Sequence, residues 1–278
     1  MSGPVEAKVY ETIELRLDER VAIITLNQPQ RLNAISLKMS DEFPLALKEA
    51  EDNPDIRVIV VKGSGGRAFS SGYDIAEEAE GARYTSATWA ERLNHDLEFT
   101  LSVWRCKKPT LAAIEGYCLA GGMEFAGMFD IRYCSEDSRF GVVDTRFSTG
   151  VATLILPWIV GPQCRELIYT GDMFDAARAE RLGFVTRVFP KETLEAEVIK
   201  IAKRMSMVAA DCLSWNKQAI NQTFEIMGLM SALKAGVNAA TLLNSMETPE
   251  FQQFDSIKRE QGMKAALKWR AAQFEQHE

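Results

Sequence analysis

Histidine is almost missing from these 278 residues: only His95 and His277 occur. So few imidazoles argue against a multi-histidine metal centre. A Ser–His–acid triad is left with one internal candidate, His95. That residue sits among Arg92, Asp96 and Glu98 in a helix-like stretch, where a solvated surface position is the simpler role. The five cysteines (Cys106, Cys118, Cys134, Cys164 and Cys212) are odd in number and widely spaced. They fit reduced thiols and a cytoplasmic setting better than a disulfide framework or a zinc motif. No apolar run reaches the roughly 20 residues that span a bilayer. Met1-Ser2-Gly3-Pro4 does not begin a basic-then-apolar export signal, so no membrane partner is expected. Acidic residues outnumber basic ones, 39 to 32, for a net charge of -7. That balance gives no footprint for nucleic acid, although a phosphate-rich small ligand needs only a few local cations.

What is present is an ordinary globular composition, 46% hydrophobic and 26% charged, in a chain long enough to bury a large core. The patterning predicts strands over 12–17, 21–26, 57–62, 110–115 and 130–134, of which Val21-Ala22-Ile23-Ile24-Thr25-Leu26 is nearly all apolar. Such continuity is expected of a strand covered on both faces. Helices are predicted over 36–52, weakened by Pro44, and over 87–105 and 122–129. The polar stretch from Glu77 to Ser86 has no periodic apolar stripe and is expected to be mobile. From about residue 192 strand signals vanish, and 192–209, 211–227, 229–246 and 249–274 read as helical, punctuated by Pro249 and Gly262.

Two glycine loops carry the chemistry. They are Ala68-Phe69-Ser70-Ser71-Gly72-Tyr73-Asp74 and Leu119-Ala120-Gly121-Gly122-Met123-Glu124. Each follows a strand-like run and opens a helix-like stretch. Glycine permits a sharp turn and close approach of a ligand to the main chain. Amides at a helix start lack intrahelical acceptors and carry the positive end of the dipole. Two of them aimed at one point can hold a carbonyl oxygen while negative charge builds on it.

Around these loops the chain resembles the crotonase (enoyl-CoA hydratase/isomerase) superfamily. The likeness runs through Leu26-Asn27-Gln28-Pro29, Arg31-Leu32-Asn33-Ala34, Lys108-Pro109-Thr110 and Glu115-Gly116-Tyr117-Cys118 as well as both loops. It continues through Phe129-Asp130-Ile131, Phe140-Gly141 and Leu182-Gly183-Phe184-Val185. The resemblance implies an α/β fold, a spiral of repeated ββα units over 1–191 that holds the site. It implies a helical C-terminal region over 192–278 that packs subunits into a homotrimer or a dimer of trimers. It implies an oxyanion hole made by the amides of Tyr73 and Gly121, with catalytic carboxylates at Glu124 and Asp144. Arg31, Ala34, Ala68, Ser70, Asp74 and Arg270 match coenzyme A contacts. Coenzyme A would enter as part of an acyl-CoA thioester substrate, with no separate cofactor and no metal.

Other roles stand beside these. Glu124 can be a helix-N-terminal acid favoured by the dipole, Asp144 a loop cap, and Arg31 a solvated loop residue. Cys118 has no neighbouring histidine to activate it and reads as packing. Asp144 is one methylene shorter than the family's commoner glutamate, and the following Ser148-Thr149-Gly150-Val151-Ala152-Thr153-Leu154-Ile155-Leu156-Pro157 is shorter and more apolar than the usual glycine-rich segment. Tyr73, Phe69, the segment near Trp89 and residues 151–158 suggest an apolar acyl pocket. The expected activity is that of an enoyl-CoA hydratase, a lyase of fatty acid metabolism. Enoyl-CoA double-bond isomerisation and a non-catalytic CoA-thioester-binding scaffold are the alternatives.

Overall fold

The computed structural model describes residues 10–74, 77, 85–246 and 248–275. Most of the polar stretch expected to be mobile lies outside the described residues, as do Met1-Ser2-Gly3-Pro4 and His277. The chain opens with an antiparallel pair, β1 (Ile13–Asp18) and β2 (Val21–Leu26), turning at Glu19 with φ 55°. Helix α1 (Leu37–Asp52) is capped by the Ser36 hydroxyl, which accepts the Met39 amide. Pro44 removes one intrahelical donor. The helix nevertheless continues through it, because Met39, Phe43, Ala46, Leu47 and Ala50 are buried on its inner face.

The next segments alternate a longer strand, a short strand and a helix. They are β3 (Val58–Gly63), β4 (Ala68–Ser70) and α2 (Ser86–Arg105), then β5 (Thr110–Ile114), β6 (Tyr117–Leu119) and α3 (Gly121–Gly127). Strands β7 (Ile131–Ser135) and β8 (Arg139–Gly141) follow, then α4 (Leu156–Ile159), α5 (Cys164–Thr170), β9 (Phe174–Asp175), α6 (Ala176–Arg181) and β10 (Arg187–Phe189). The longer strands form one sheet in the order β1-β2-β3-β5-β7-β10, parallel from β2 onward. The short strands form a second sheet, β4-β6-β8-β9, parallel through β8. Each unit thus advances both sheets by one strand, which is the expected spiral. The two- and three-residue strands of the second sheet are too short to show a periodicity, and no separate sequence signal marks them.

The side-chain alternation of the strands sorts residues into two cores. Ala22, Ile24 and Leu26 of β2, with Ile59, Val61, Ala112 and Ile114, face a core shared with α1, α2 and α3. Val21, Ile23, Val58, Val60, Leu111 and Ala113 face the other way, onto Leu194, Val198 and Ala202 of α7 (Leu194–Met205). These last three recur every fourth residue and form one helical face. Both faces of the sheet are therefore covered, which explains the unbroken apolar run of β2. Helices α8 (Ala210–Ile226), α9 (Leu229–Met246), α10 (Pro249–Gln261) and α11 (Met263–Glu275) complete the chain. Gly262, at φ 88°, separates the last two. Leu229, Leu233, Val237 and Ala240 of α9 join the first core against α2. No single helix among the described residues is long and apolar enough to cross a membrane.

An aromatic cluster fixes α1, α2 and α3 around the site. The Phe125 ring centroid lies 4.7 Å from Phe99, 5.0 Å from both Phe43 and Phe129, and 6.1 Å from Phe69. Phe69, expected at the acyl pocket, is instead fully buried in this cluster. Phe125→Ala should cost about 3–5 kcal/mol of stability through the cavity it leaves, read as a lower urea midpoint with an unchanged slope.

Candidate active site

The first loop is held by a buried asparagine. Asn33 accepts the Gln28 amide at 3.0 Å and donates to the carbonyls of Ser64 at 3.0 Å and Ala68 at 2.8 Å. Its backbone has φ 51°, a conformation asparagine tolerates better than most residues. The clamp ties the residues after the 3-10 turn Pro29–Arg31 to the start of β4. Its role was not assigned from the sequence, although Arg31-Leu32-Asn33-Ala34 stood out as a motif. At the end of β4, Ser70 Oγ accepts the Gly72 amide at 3.2 Å.

The two loops meet through their glycines. Gly72 has φ +98°, and a Cβ there would lie 2.8 Å from Ala120 Cβ and 3.1 Å from the Gly121 nitrogen. A Cβ on Gly122 would lie 2.6 Å from the Ser70 carbonyl oxygen, and one on Gly121 would lie 2.4 Å from the Tyr73 ring. Ala120, at the N-cap of α3, is itself held at φ 52°, and its amide donates to Gly141 O at 2.9 Å. A non-glycine residue in that region carries backbone strain that the surroundings must sustain. Gly121 is the first residue of α3, so its amide lacks an intrahelical acceptor. Tyr73 forms a parallel bridge with Ile35 in which Ile35 donates to Gly72 and Asp74 donates to Ile35. In that pattern the Tyr73 amide faces away from Ile35. The amides of Tyr73 and Gly121 thus belong to backbone segments in direct contact.

Glu124 lies one turn into α3 and is 5% exposed. Its carboxyl accepts the amides of Ala152 at 3.2 Å and Thr153 at 2.7 Å. Asp144 sits in a 3-10 turn, Val143–Phe147. Its buried Oδ2 has no hydrogen-bond partner among the described residues. Burial is the largest influence on both groups and raises both above the ordinary carboxylate range. For Glu124 the neighbouring Asp144 adds to the rise, and the Thr153 and Ala152 donors oppose it. The two groups titrate as a pair. Residues 151–158 were expected as an apolar wall, but the role of the Ala152 and Thr153 amides as donors to Glu124, 28 and 29 positions away, was not foreseen.

The shortened segment after Asp144 packs on α9. A Cβ on Gly150 would meet Ala240 Cα at 2.5 Å, and one on Gly236 would meet Ala152 O at 2.8 Å. The Gly150 amide also donates to Asn244 Oδ1 at 3.0 Å. Close small-residue contact therefore seats the wall that carries the two amides. On the other side, the Tyr73 hydroxyl donates to Asp96 O at 3.3 Å, beside an Arg92–Asp96 ion pair at 3.1 Å. Burial, followed by Asp96 and Glu124, pushes the Tyr73 phenol well above its ordinary pKa, so it stays protonated. The pocket expected to be apolar thus has a polar cluster at Tyr73.

The remaining candidates separate into two places. Arg31 pairs with Asp74 at 2.5 Å on the rim of the first loop, with its side chain half exposed. Ala34, Ala68 and Ser70 are buried nearby along the same loop. Arg270 lies on α11, its guanidinium 5.1 Å from the Phe274 ring, which Arg146 also covers at 4.4 Å. His95 links α2 to α1 through Asp41 at 3.2 Å and is only partly buried. The Cys118 thiol is fully buried, donates to Gly122 O and is raised in pKa by burial.

Residues 16–277 match the sequence profile of the family described as enoyl-CoA hydratase/isomerase. The chain belongs to that family. It is 35% identical over 95% of its length, and 98% of the relative's, to a protein named probable enoyl-CoA hydratase echA8 from Mycobacterium bovis. A peroxisomal Delta(3,5)-Delta(2,4)-dienoyl-CoA isomerase from Arabidopsis thaliana is also 35% identical, over 70% of this chain and 75% of that protein. The crystal structure of an enoyl-CoA hydratase/isomerase from Xanthobacter autotrophicus Py2 superposes with a TM-score of 0.93 at 34% identity, covering 96% of this chain and 99% of that one. The fold is the crotonase fold, and the family acts on acyl-CoA thioesters.

The buried carboxyls of Glu124 and Asp144 carry a stability cost with a definite sign. Their folded pKa values lie above the ordinary 4.5 and 3.8, so the folded state binds more protons than the unfolded state between those values and the raised ones. Stability must fall as pH rises through that window. Below the unfolded values both states are protonated and the penalty is absent. Asp144→Asn removes one ionisation without adding a donor clash at Ala152 or Thr153. It should raise the melting temperature at pH 8 and leave it nearly unchanged at pH 4, as read by calorimetry.

Proposed function

We propose that this chain adds water across the double bond of a 2-enoyl-CoA thioester. The reading is carried by one juxtaposition: a pair of buried carboxyls, Glu124 and Asp144, beside the two contacting glycine loops. The thioester oxygen is received by the amides of Tyr73 and Gly121. Water attacks the β carbon, and one carboxylate takes its proton as the carbon–oxygen bond forms. The π electrons move onto the thioester oxygen as an enolate, which the two amides stabilise. The enolate then collapses as the other carboxyl delivers a proton to the α carbon. The net change is addition of H and OH, and the pair exchanges its protonation state, reset through solvent.

Arg31, Ala34, Ala68, Ser70 and Asp74 take the coenzyme A portion, with Arg31 contributing positive charge to phosphate, and Arg270 is a further candidate for that part. Coenzyme A arrives as part of the substrate, and the chemistry calls for no metal and no other cofactor. We divide the chain into a catalytic spiral over 1–191 and a helical region over 192–278, and assign it to the cytoplasm, in keeping with its free cysteines.

Double-bond isomerisation is the second reading, favoured by the dienoyl-CoA isomerase relative and by the altered wall after Asp144. Steady-state assays on 2-enoyl-CoAs of graded chain length decide between the two. Glu124→Gln and Asp144→Asn should each lower kcat for hydration by about 10²–10⁴-fold. Full hydration in both variants overturns the mechanism. A wild-type protein that only moves the double bond selects isomerisation, and one that binds without turnover is a scaffold.

We further propose that the helical region assembles a homotrimer or a dimer of trimers. Supporting this, Trp215, Ile220 and Ile226 of α8 and the adjoining Met227 are all more than half exposed, an apolar face that suits an interface. Sedimentation velocity should give a trimeric or hexameric mass for the wild type. Ile220→Asp with Ile226→Asp should shift it toward the monomer.

A further inference from the structure

The Tyr73 side chain is anchored along its whole length. Its backbone forms the bridge with Ile35. A Cβ on Gly121 would lie 2.4 Å from Tyr73 Cδ2 and 2.5 Å from Cε2. One C–C bond, about 1.5 Å, separates that position from Gly121 Cα, so the ring edge rests against the backbone of the second loop. At the far end the hydroxyl donates to Asp96 O of α2 at 3.3 Å. The Arg92 guanidinium stands 6.0 Å from the ring centroid, and Arg92 Nε donates to both Asp96 carboxylate oxygens, at 3.1 and 3.3 Å. The side chain therefore spans from the first loop, past the start of α3, to α2. Tyr73 as a residue is still only partly buried, so part of this span borders open space.

We propose that Tyr73 is a specificity-determining residue, a fixed wall beside the thioester that excludes substituents on the α carbon of the acyl group. The reason is covalent. The first ring carbon is three bonds, roughly 3–4 Å, from the Tyr73 amide nitrogen. A thioester oxygen accepting from that amide sits about 2.9 Å from the same nitrogen, and the α carbon is two bonds beyond the oxygen. Ring and α carbon are thereby confined to the same few ångströms, and the ring's other neighbour, Gly121, carries the second amide of the hole. Carbons further along the acyl chain lie progressively beyond its reach. The ring has little room to yield, because its edge and its hydroxyl are both engaged. The substrate class that fits is an acyl-CoA unbranched at the α carbon. This deepens the proposed function and rests on it in one respect, that the thioester oxygen lies on the amides of Tyr73 and Gly121.

Saturated acyl-CoAs test this without turnover, since they have no double bond to hydrate or move. The probes are butanoyl-CoA and 2-methylbutanoyl-CoA, which differ by one methyl on the α carbon, with dissociation constants read by calorimetry. The wild type should bind the branched probe about tenfold to a hundredfold more weakly. Tyr73→Phe keeps the ring and loses only the hydroxyl, so this penalty should stay within about threefold of the wild-type value. Tyr73→Ala removes the wall and should bring the two probes to within about threefold of each other. With 3-methylbutanoyl-CoA, branched one carbon further out, the wild type should show a smaller penalty than with the 2-methyl probe.

Equal binding of butanoyl-CoA and 2-methylbutanoyl-CoA by the wild type overturns the proposal. So does an undiminished penalty in Tyr73→Ala, a penalty lost in Tyr73→Phe, or a 3-methyl penalty as large as the 2-methyl one. If Tyr73→Ala does not fold, Tyr73→Val decides in its place. Valine suits the extended bridge with Ile35, and an undiminished penalty there overturns the proposal equally. Glu124→Gln assayed for hydration separates the two levels of argument. Full hydration by Glu124→Gln removes the catalytic reading, and the probe ratios still decide the wall. Lost hydration in Glu124→Gln with equal binding of the two probes by the wild type removes only the wall.

Discussion

The contact between the two glycine loops is the constraint on which the rest of the site depends. Gly72 lies against the Ala120–Gly121 peptide, and Gly122 lies against the Ser70 carbonyl. At each point a side chain would occupy space that the other loop's backbone already fills. The contact is possible because both loops leave adjacent parallel strands of the same small sheet, β4 and β6. Asn33 fixes the first loop from below, and Gly141 O anchors the second through the Ala120 amide. The positive φ of Ala120 is then a consequence: the chain must turn there to start α3 against β4, and the packed strands hold it in place.

A second constraint follows from placing carboxyls behind those loops. An isolated buried carboxylate is costly, and proteins meet that cost with donors or by raising the pKa. Glu124 shows both responses. Its donors come from a wall that owes its position to α9, through Gly150 against Ala240 and Gly236 against Ala152. The helical region is thus not separable from the chemistry: α9 packs on α2 in the first core and seats the segment that carries the amides of Ala152 and Thr153. Small residues at the crossing points, Gly150 against Ala240 and Gly236 against Ala152, let the helix approach closely enough to do this.

These relations also explain what could be read from the sequence. The apolar runs of β2, β3 and β5 and the glycine loops are local signals, and they located the large sheet and the helix starts. Pro44 and Gly262 behaved differently from each other for a physical reason. Pro44 sits on a helix whose flanking residues are buried, and packing outweighs its lost bond. Gly262 lies between two largely exposed helices, and there the chain breaks. The short strands of the second sheet, the Asn33 clamp and the donors on Glu124 depend on partners distant in the chain, so no window of sequence displays them. Phe69 was misassigned to the pocket because an aromatic beside a loop looks the same whether its ring turns outward or into the Phe125 cluster.

The hole proposed for the Tyr73 and Gly121 amides would serve any reaction that passes through a thioester enolate, so it does not by itself choose between hydration and isomerisation. That choice depends on the space beside the β carbon. Isomerisation needs one carboxyl able to reach two carbons in turn, whereas hydration needs room for a water between two carboxyls. Aspartate at 144 is one methylene, about 1.5 Å, shorter than a glutamate would be. Its buried Oδ2 has no partner among the described residues, so a water donated to the β carbon would find an acceptor there. Glu124, by contrast, is pinned by donors on both oxygens and is poorly suited to swing between carbons. A fixed carboxyl opposite a shorter one is an arrangement for holding a water, and it weighs toward hydration.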